Sequence, residues 1–464
     1  MFPFSYVLIA VITYEFFSQR KLKVLFLNFF VIELVFALSR MNYGYFVHIG
    51  GSELEYNDVL LGVLFVLSIL VLIKNPRIPQ KTSNISMLLL LTIFIGMLLC
   101  NIFPANVAVI DYNHSWDMYM RGFTSEMQPV AFSMQSVLMF IRVLIFVFVL
   151  NIAYLLFNEH EWVDIAKKVY KYLKGLIVYG VIEIVLKYAL HINVNLYLND
   201  FFGRGISTGG GVERLQGICR EPSYYALALF NFMALSTALF YIEQNSAVKR
   251  KIRNWTIVSA LIGIFTTSFS FMICIVALML MWLYLANTYS SGRMFKVSIG
   301  ICIVVCLAIL IISSPFFLNF AMHSNITVLE RSVQSVVQIK KAFTNTLIPG
   351  EDFSSEASRL GGGVITLKAG FARPLLGLGI GTTYCVTGLI CIFANIGFIG
   401  LYLWIKLLFE VYGKNVSKMM TALLLLPVLF TNDLYTLYDT AYLLLIPIIS
   451  IAMKERRKWL AEGQ

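Results

Sequence analysis

The feature that most limits this chain is the recurrence, from one end to the other, of apolar runs as long as a bilayer is thick. A helix needs ~20 mostly apolar residues to cross ~30 Å of hydrocarbon. Segments of that kind occupy about 2–18, 22–39, 57–73, 85–103, 131–157, 175–192, 223–242, 256–269, 270–287, 297–313, 380–404, 419–436 and 440–453. Hydrophobic residues make up 59% of the 464 and charged residues only 13%. Mean hydropathy is +0.79. The pattern predicts one all-α, polytopic integral membrane domain over residues 1–464, with about 13 transmembrane helices.

A net charge of +11 would point to nucleic acid in a soluble protein. Here the basic residues fall in short clusters between spans, as the positive-inside rule requires, and nucleic acid is not an expected partner. The clusters are Arg20–Lys23, Lys74–Lys81, Lys167–Lys174, Lys249–Arg253, Arg293 with Lys296, Lys406–Lys418 and Lys454–Lys458. Placing all of them inside puts the N-terminus outside and the C-terminus in the cytoplasm. That placement requires residues 256–287 to be two short passes broken near Thr266–Ser270, since a single helix would invert everything after it. Met1 to Phe17 lacks a small-residue cleavage site and reads as a first span. Glu159 to Lys174 has amphipathic helical spacing and is expected to lie on the cytoplasmic lipid surface. The seven cysteines show no metal-type pairing, and Cys302 and Cys306 share a helix face as core residues do.

Four outer loops result, at about 40–56, 104–130, 193–222 and 314–379. The last two are the largest periplasmic loops on this topology. They hold Arg204, Arg214, Arg220, Arg331, Arg359 and Arg373, along with the glycine triplets Gly209–Gly211 and Gly361–Gly363. Glycine lets backbone approach a ligand closely, and the arginine fork matches phosphate oxygens. Solvated loop arginines are one reading of the set, and an anionic membrane-bound ligand is the other. Glu33, Arg142, Glu183 and Lys187 lie inside apolar runs, where charge is costly and normally faces a partner or a cavity. Glu183 and Lys187 are spaced to pair on one helix face, and Glu33 and Arg142 sit at matching depth for a pair between helices. These four are either structural pairs or the lining of a cavity open to the outside. No HExxH, nucleophile elbow or phosphate-binding loop is present, and no metal or other cofactor is expected. His323, in the largest outer loop, is the one histidine placed to act as a base.

Two segments carry a resemblance. Arg214-Leu215-Gln216-Gly217-Ile218-Cys219-Arg220-Glu221-Pro222-Ser223 resembles the R-x-x-G-x-x-x-E-P-s element of bacterial O-antigen polymerases. Arg373-Pro374-Leu375-Leu376-Gly377-Leu378-Gly379-Ile380-Gly381, followed by Ala394-Asn395-Ile396-Gly397-Phe398-Ile399-Gly400-Leu401, resembles the P-l-l-G-x-G-x-G … e-x-G-i-i-G-l element of the wider polymerase and ligase superfamily. Thr267-Ser268-Phe269-Ser270 stands where that family often has S-x-S-R-t, without the basic residue. The ligase branch carries a histidine where this chain has Thr382-Thr383-Tyr384-Cys385, so polymerase is favoured over ligase.

The resemblance implies a metal-independent glycosyltransferase of GT-C-type membrane architecture in the bacterial inner membrane, with its site facing the periplasm. Its substrates would be undecaprenyl-diphosphate-linked oligosaccharides, and its further partners membrane lipid, a chain-length regulator and a flippase. Diphosphate binding would fall to the six arginines. The general base would be Glu221, with His323 the second candidate. The competing classes are an O-antigen ligase-like glycan transferase and a transporter or flippase of lipid-linked oligosaccharide. Short inner loops, long arginine-bearing outer loops and the lack of repeat halves weigh against transport.

Overall fold

A computed structural model describes residues 2–40, 45–49, 52–76, 80–109, 127–130, 133–202, 214–219, 221–266, 268–289, 314, 316, 319–320, 355–385, 387–412, 423–424, 427 and 437–462. The expected spans at 297–313 and 419–436, apart from Leu423, Leu424 and Pro427, lie outside them, as do His323, Arg204, Arg220 and Arg331.

The helices are α1 (Pro3–Ser18), α2 (Leu22–Ser39), α3 (Tyr56–Lys74), α4 (Gln80–Ile102), α5 (Met134–Leu156), α6 (Glu159–Ile184), α7 (Asn195–Phe202), α8 (Pro222–Ile242), α9 (Ser246–Ile264), α10 (Phe269–Tyr289), α11 (Ser355–Phe371), α12 (Gly388–Tyr412) and α13 (Ala441–Glu462). Six of them contain stretches long and apolar enough to cross a membrane: α2, α3, α4, α5, α8 and α12. The protein is thus a helical membrane protein. Two of the expected outer loops also carry small antiparallel hairpins, β1 (Tyr45–Ile49) with β2 (Ser52–Glu55) and β3 (Asn106–Ala108) with β4 (Met127–Pro129).

Helix α8 is the axis of the bundle. Nearly every residue from Pro222 to Leu239 is buried, so it is apolar all round rather than on one stripe. Alanines at 226, 228, 234 and 238 let α2, α6, α9, α10 and α13 approach closely. Pro222 occupies its first turn, where a missing N–H costs nothing. A second group is formed by α4, α11 and α12, joined to the first through α5 and α3, which packs on α2, and through α13.

The break expected near Thr266 is present. Helix α9 stops at Ile264 and α10 starts at Phe269. The reading of Glu159–Lys174 as a separate surface helix is corrected, because α6 runs unbroken from Glu159 to Ile184. An Asn158–Glu161 capping box starts it, and nothing near Gly175 interrupts it. Its apolar stripe of Trp162, Ile165, Val169 and Leu173 is buried in the core rather than facing lipid. Its 26 residues and the five-residue π turn after them span roughly 46 Å. That is longer than a ~30 Å hydrocarbon layer is thick.

Three ion pairs gather the basic end of α6: Lys23–Glu161 at 2.6 Å, Lys454–Glu159 at 2.7 Å and Lys167–Glu243 at 3.5 Å. Clusters assigned to one side of the membrane by charge are therefore at one end of the bundle. Burial alone would raise the Glu161 carboxyl. The Lys23 ammonium and the Asn158 N–H outweigh it and hold the carboxyl below the usual carboxylate range. Glu243 is lowered in the same way, its own small burial penalty being exceeded by the Asn245 N–H and Lys167.

The second glycine triplet is also corrected. Gly361–Gly363 lies in α11 as helix, and a Cβ on Gly363 would approach Thr387 Oγ1 to 3.1 Å. Gly363 therefore serves close helix packing. Sharper constraints act on Gly377, Gly379, Gly381 and Gly397, all at positive φ. Gly397 interrupts α12 with φ 68 and ψ −178, and a Cβ there would lie 2.3 Å from Leu375 O.

Two outcomes are expected. Gly397→Ala lowers stability by at least about 2 kcal/mol, since the Gly-only backbone region and the clash add. Gly62→Ala, with open space around its Cβ, raises stability by about 0.5–1 kcal/mol. Thermal unfolding of detergent-purified protein measures both. Because Glu161 and Glu243 are lowered in the fold, their contribution is present above the ordinary carboxylate pKa and is lost as pH falls through the lowered folded value. Acid unfolding of a Lys23→Ala/Lys167→Ala variant therefore shows a smaller loss over that window, by about 0–1 kcal/mol per pair.

Candidate functional site

The Arg-Gly-Glu-Pro element forms the short loop that leads into α8. Four elements hold it. Helix α9 ends at Ile264, which leaves carbonyls without helical partners. Phe265 O accepts from Leu215 N at 3.1 Å, and Thr266 O accepts from Arg214 Nε at 3.1 Å. The Cys219 thiol donates to Ser39 O at the end of α2, at 3.2 Å. Gly217 sits at φ +57, packed so that a Cβ would fall 2.4 Å from the Tyr225 ring of α8. Tyr225 in turn donates to Leu176 O of α6 at 3.1 Å.

The fourth element is the far end of α6, and it accounts for two of the intramembrane charges. Glu183 is 3% exposed and Lys187 7%. Glu183 Oε2 accepts from Gly217 N at 2.7 Å, and Oε1 accepts from Gln216 N at 3.2 Å and from Asn195 Nδ2 at 2.7 Å. Lys187 donates to Arg214 O at 2.7 Å. Each residue of the expected Glu183–Lys187 pair bonds the loop backbone, and the Lys187 ammonium still acts on the Glu183 carboxylate as a nearby opposite charge. Three donors and that charge together match the carboxylate.

Glu221 caps α8 in an extended conformation (φ −140, ψ 152) and is half-buried. Its Oε2 accepts from Ser223 at 3.2 Å. Among the described residues nothing else engages the carboxylate. It stands at the positive end of the central helix.

Glu33 and Arg142 find other partners as well. Glu33 accepts from Thr440 at 3.0 Å. Arg142 pairs with Asp58 at 2.6 Å and donates to the Tyr438 hydroxyl at 3.4 Å. Asp58 Oδ2 also accepts from Glu55 N at 3.2 Å as part of the α3 capping box. Beside them, Arg40 and Asp439, 2% and 0% exposed, form an ion pair at 2.8 Å. Sequence reading missed Arg40, Asp58 and Asp439. Each sits at the edge of an apolar run, where charge is ordinary, and only the hairpins and the 437–440 segment fold them inward. Ser39 is the link between the two sets, since it accepts from Cys219 and precedes Arg40.

The second element is an interlocked pair of breaks. Between α11 and α12 the chain runs irregularly past Gly377, Gly379 and Gly381, and it pairs with α12 where Gly397 interrupts that helix. Leu378 N donates to Ala394 O (2.8 Å) and Gly379 N to Asn395 O (3.1 Å). Phe398 N returns to Pro374 O (2.8 Å) and Ile399 N to Leu375 O (3.1 Å). Asn395 Oδ1 accepts from Thr382 N and Thr383 N, and its amide donates to Thr383 O and Cys391 O. Arg373 opens the segment half-buried, its N–H on Gly370 O and its carbonyl accepting from Gly377 N. It makes no bond to the Arg214–Glu221 loop among the described residues. Arg359 lies on α11, and its side chain is outside the described set. No group of His, Cys, Asp and Glu among the described residues is arranged to hold a metal ion.

No protein-family model matches this chain, and no similar protein was found among curated sequences.

Arg40→Met or Asp439→Asn alone breaks the buried ion pair by removing one member and costs about 3–5 kcal/mol. The double variant Arg40→Met/Asp439→Leu recovers most of that loss. Thermal midpoints of the three purified proteins check this non-additivity.

Proposed function

We propose that this protein is a membrane glycosyltransferase of the O-antigen polymerase kind, joining lipid-diphosphate-linked repeat units at the periplasmic face of the bacterial inner membrane. The observation that carries the reading is the loop Arg214–Glu221. It places a carboxylate with one hydrogen bond among the described residues at the amino end of a buried central helix, on backbone held by Glu183 and Lys187. A second support is that the two halves of the Pro-Leu-Leu-Gly … Gly element, 13 or more residues apart in sequence, bind each other. About 13 spans, a GT-C-type architecture and a cytoplasmic placement of the basic end belong to the same proposal.

The chemistry follows from the residue types. A sugar hydroxyl of the acceptor attacks the anomeric carbon of the donor, and the bond from that carbon to the lipid diphosphate breaks. Glu221 accepts the hydroxyl proton. The departing diphosphate gains negative charge, which arginine forks and the amino end of α8 stabilise. Arg214, Arg359 and Arg373 are candidates for that role, as are Arg204, Arg220 and Arg331, which lie outside the described residues. His323 stays the second candidate base. One edge of the Arg214 fork is taken by Thr266 O.

In the native host, Glu221→Gln is expected to reduce polymerisation by about 10²–10⁴-fold. Surface polysaccharide then shifts from a ladder to single repeat units while the protein stays in the membrane. Arg359→Ala and Arg373→Ala are expected to shorten the ladder. Unchanged long chains in all three variants overturn the assignment, and gel analysis of extracted polysaccharide reads the result.

A further inference from the structure

We infer that Glu183 and Lys187 are positioning residues, and that the π turn carrying Lys187 sets the register of the Arg214–Glu221 loop. The inference concerns the proposed transferase site and its role in transfer rests on that reading. The clamp itself is a matter of geometry.

Helix α6 does not end in an ordinary cap. It passes into a π turn at Val185–Ala189. Leu190 N bonds Val185 O at 3.2 Å, five residues back, and Ile192 N bonds Leu186 O at 2.8 Å. Such a turn inserts one extra residue and changes where every later side chain points. In an unbroken α-helix, residues four apart lie on one face and an acid and a base there meet each other. Here Glu183, in the last regular turn, and Lys187, in the π turn, meet the loop instead.

The loop and the helix run past each other in opposite directions. Lys187 meets Arg214 O, while Glu183 meets the N–H groups of Gln216 and Gly217. Four helical residues rise about 6 Å. Two to three extended residues cover about 7–10 Å, so the two spacings are close enough for both grips to hold at once. One grip accepts and the other donates, which matches the two kinds of backbone group in the loop. Asn195, buried at the start of α7, fixes the Glu183 carboxylate from behind and is itself held by the Tyr179 hydroxyl at 2.8 Å. Both sides of the clamp hold loop backbone rather than the side chains of Arg214 and Glu221. Gly217 completes the arrangement, since a Cβ there would strike Tyr225 and push the loop off the carboxylate.

Cys219, two residues beyond Gly217 and 1% exposed, reports on the loop without reference to activity. The experiment uses full-length protein in which Cys219 is the only cysteine, labelled with a maleimide in detergent micelles. Glu183→Leu and Lys187→Met are expected to raise the labelling rate at least tenfold. Glu183→Gln and Lys187→Arg, which keep an acceptor and a donor, are expected to stay within about threefold of the parent. Polysaccharide chain length in cells should fall in the same order. Unchanged Cys219 labelling in the Leu and Met variants overturns the clamp. Opened labelling with an unchanged ladder overturns the positioning role. Should the Leu variant fail to accumulate, Lys187→Met and the two conservative variants decide the same question. If Glu221→Gln leaves polymerisation intact while the labelling order holds, the functional reading fails and the clamp stands.

Discussion

Backbone groups released where a helix breaks inside an apolar bundle must find partners within the protein, because hydrocarbon offers none. Much of this fold is arranged around that requirement. The break after α9 leaves Phe265 O and Thr266 O open, and the loop before α8 supplies their donors. The interruption of α12 at Gly397 frees N–H and carbonyl groups on both sides, and the segment after α11 pairs with them. Both segments that resemble polymerase motifs are thus partners of a broken helix. Gly377 and Gly397 follow from the same cause, since two backbones can interlock closely only where no Cβ intervenes.

The same requirement governs charge. Isolated ions in a membrane interior are costly, so each must be matched. Glu183 is matched by three hydrogen-bond donors and by the nearby Lys187 ammonium. Arg40 and Asp439 match each other. Arg142 and Asp58 do likewise, and Asp58 also closes a helix cap. Three contacts, Cys219 to Ser39, Asn231 to Leu38 O and Arg40 to Asp439, then tie α8 and its leading loop to α2 and to the start of α13. The loop is therefore anchored on several helices at once, which suits a group that must hold a reacting atom in place.

Much of the fold was legible from the chain alone. Apolar runs located α1 to α5 and α8 to within a few residues, because hydrophobic length is a local property. The break near Thr266 followed from charge, since an unbroken helix would have placed later basic clusters on the wrong side. The amphipathic start of α6 was misjudged. An apolar stripe looks the same whether it faces lipid or the core, and only packing against α2, α8 and α13 tells them apart. At the candidate site, the charges inside apolar runs can be named from the sequence, but their partners cannot. Spacing of four residues predicts a pair on a regular helix, and the π turn after Ile184 removes that regularity.

The sequence by itself determined that the chain is a helical membrane protein, which segments are apolar, and that Glu183, Lys187, Arg214 and Glu221 carry unusual chemistry for their setting. These conclusions rest on composition and on interactions over one or two helical turns. Tertiary structure alone decided that Glu183 and Lys187 grip the loop holding Arg214 and leading to Glu221, that Arg142 takes Asp58, and that Arg40 and Asp439 meet. Those contacts join residues tens to hundreds of positions apart. Their formation depends on which helices pack together, and hydrophobic periodicity does not encode that choice.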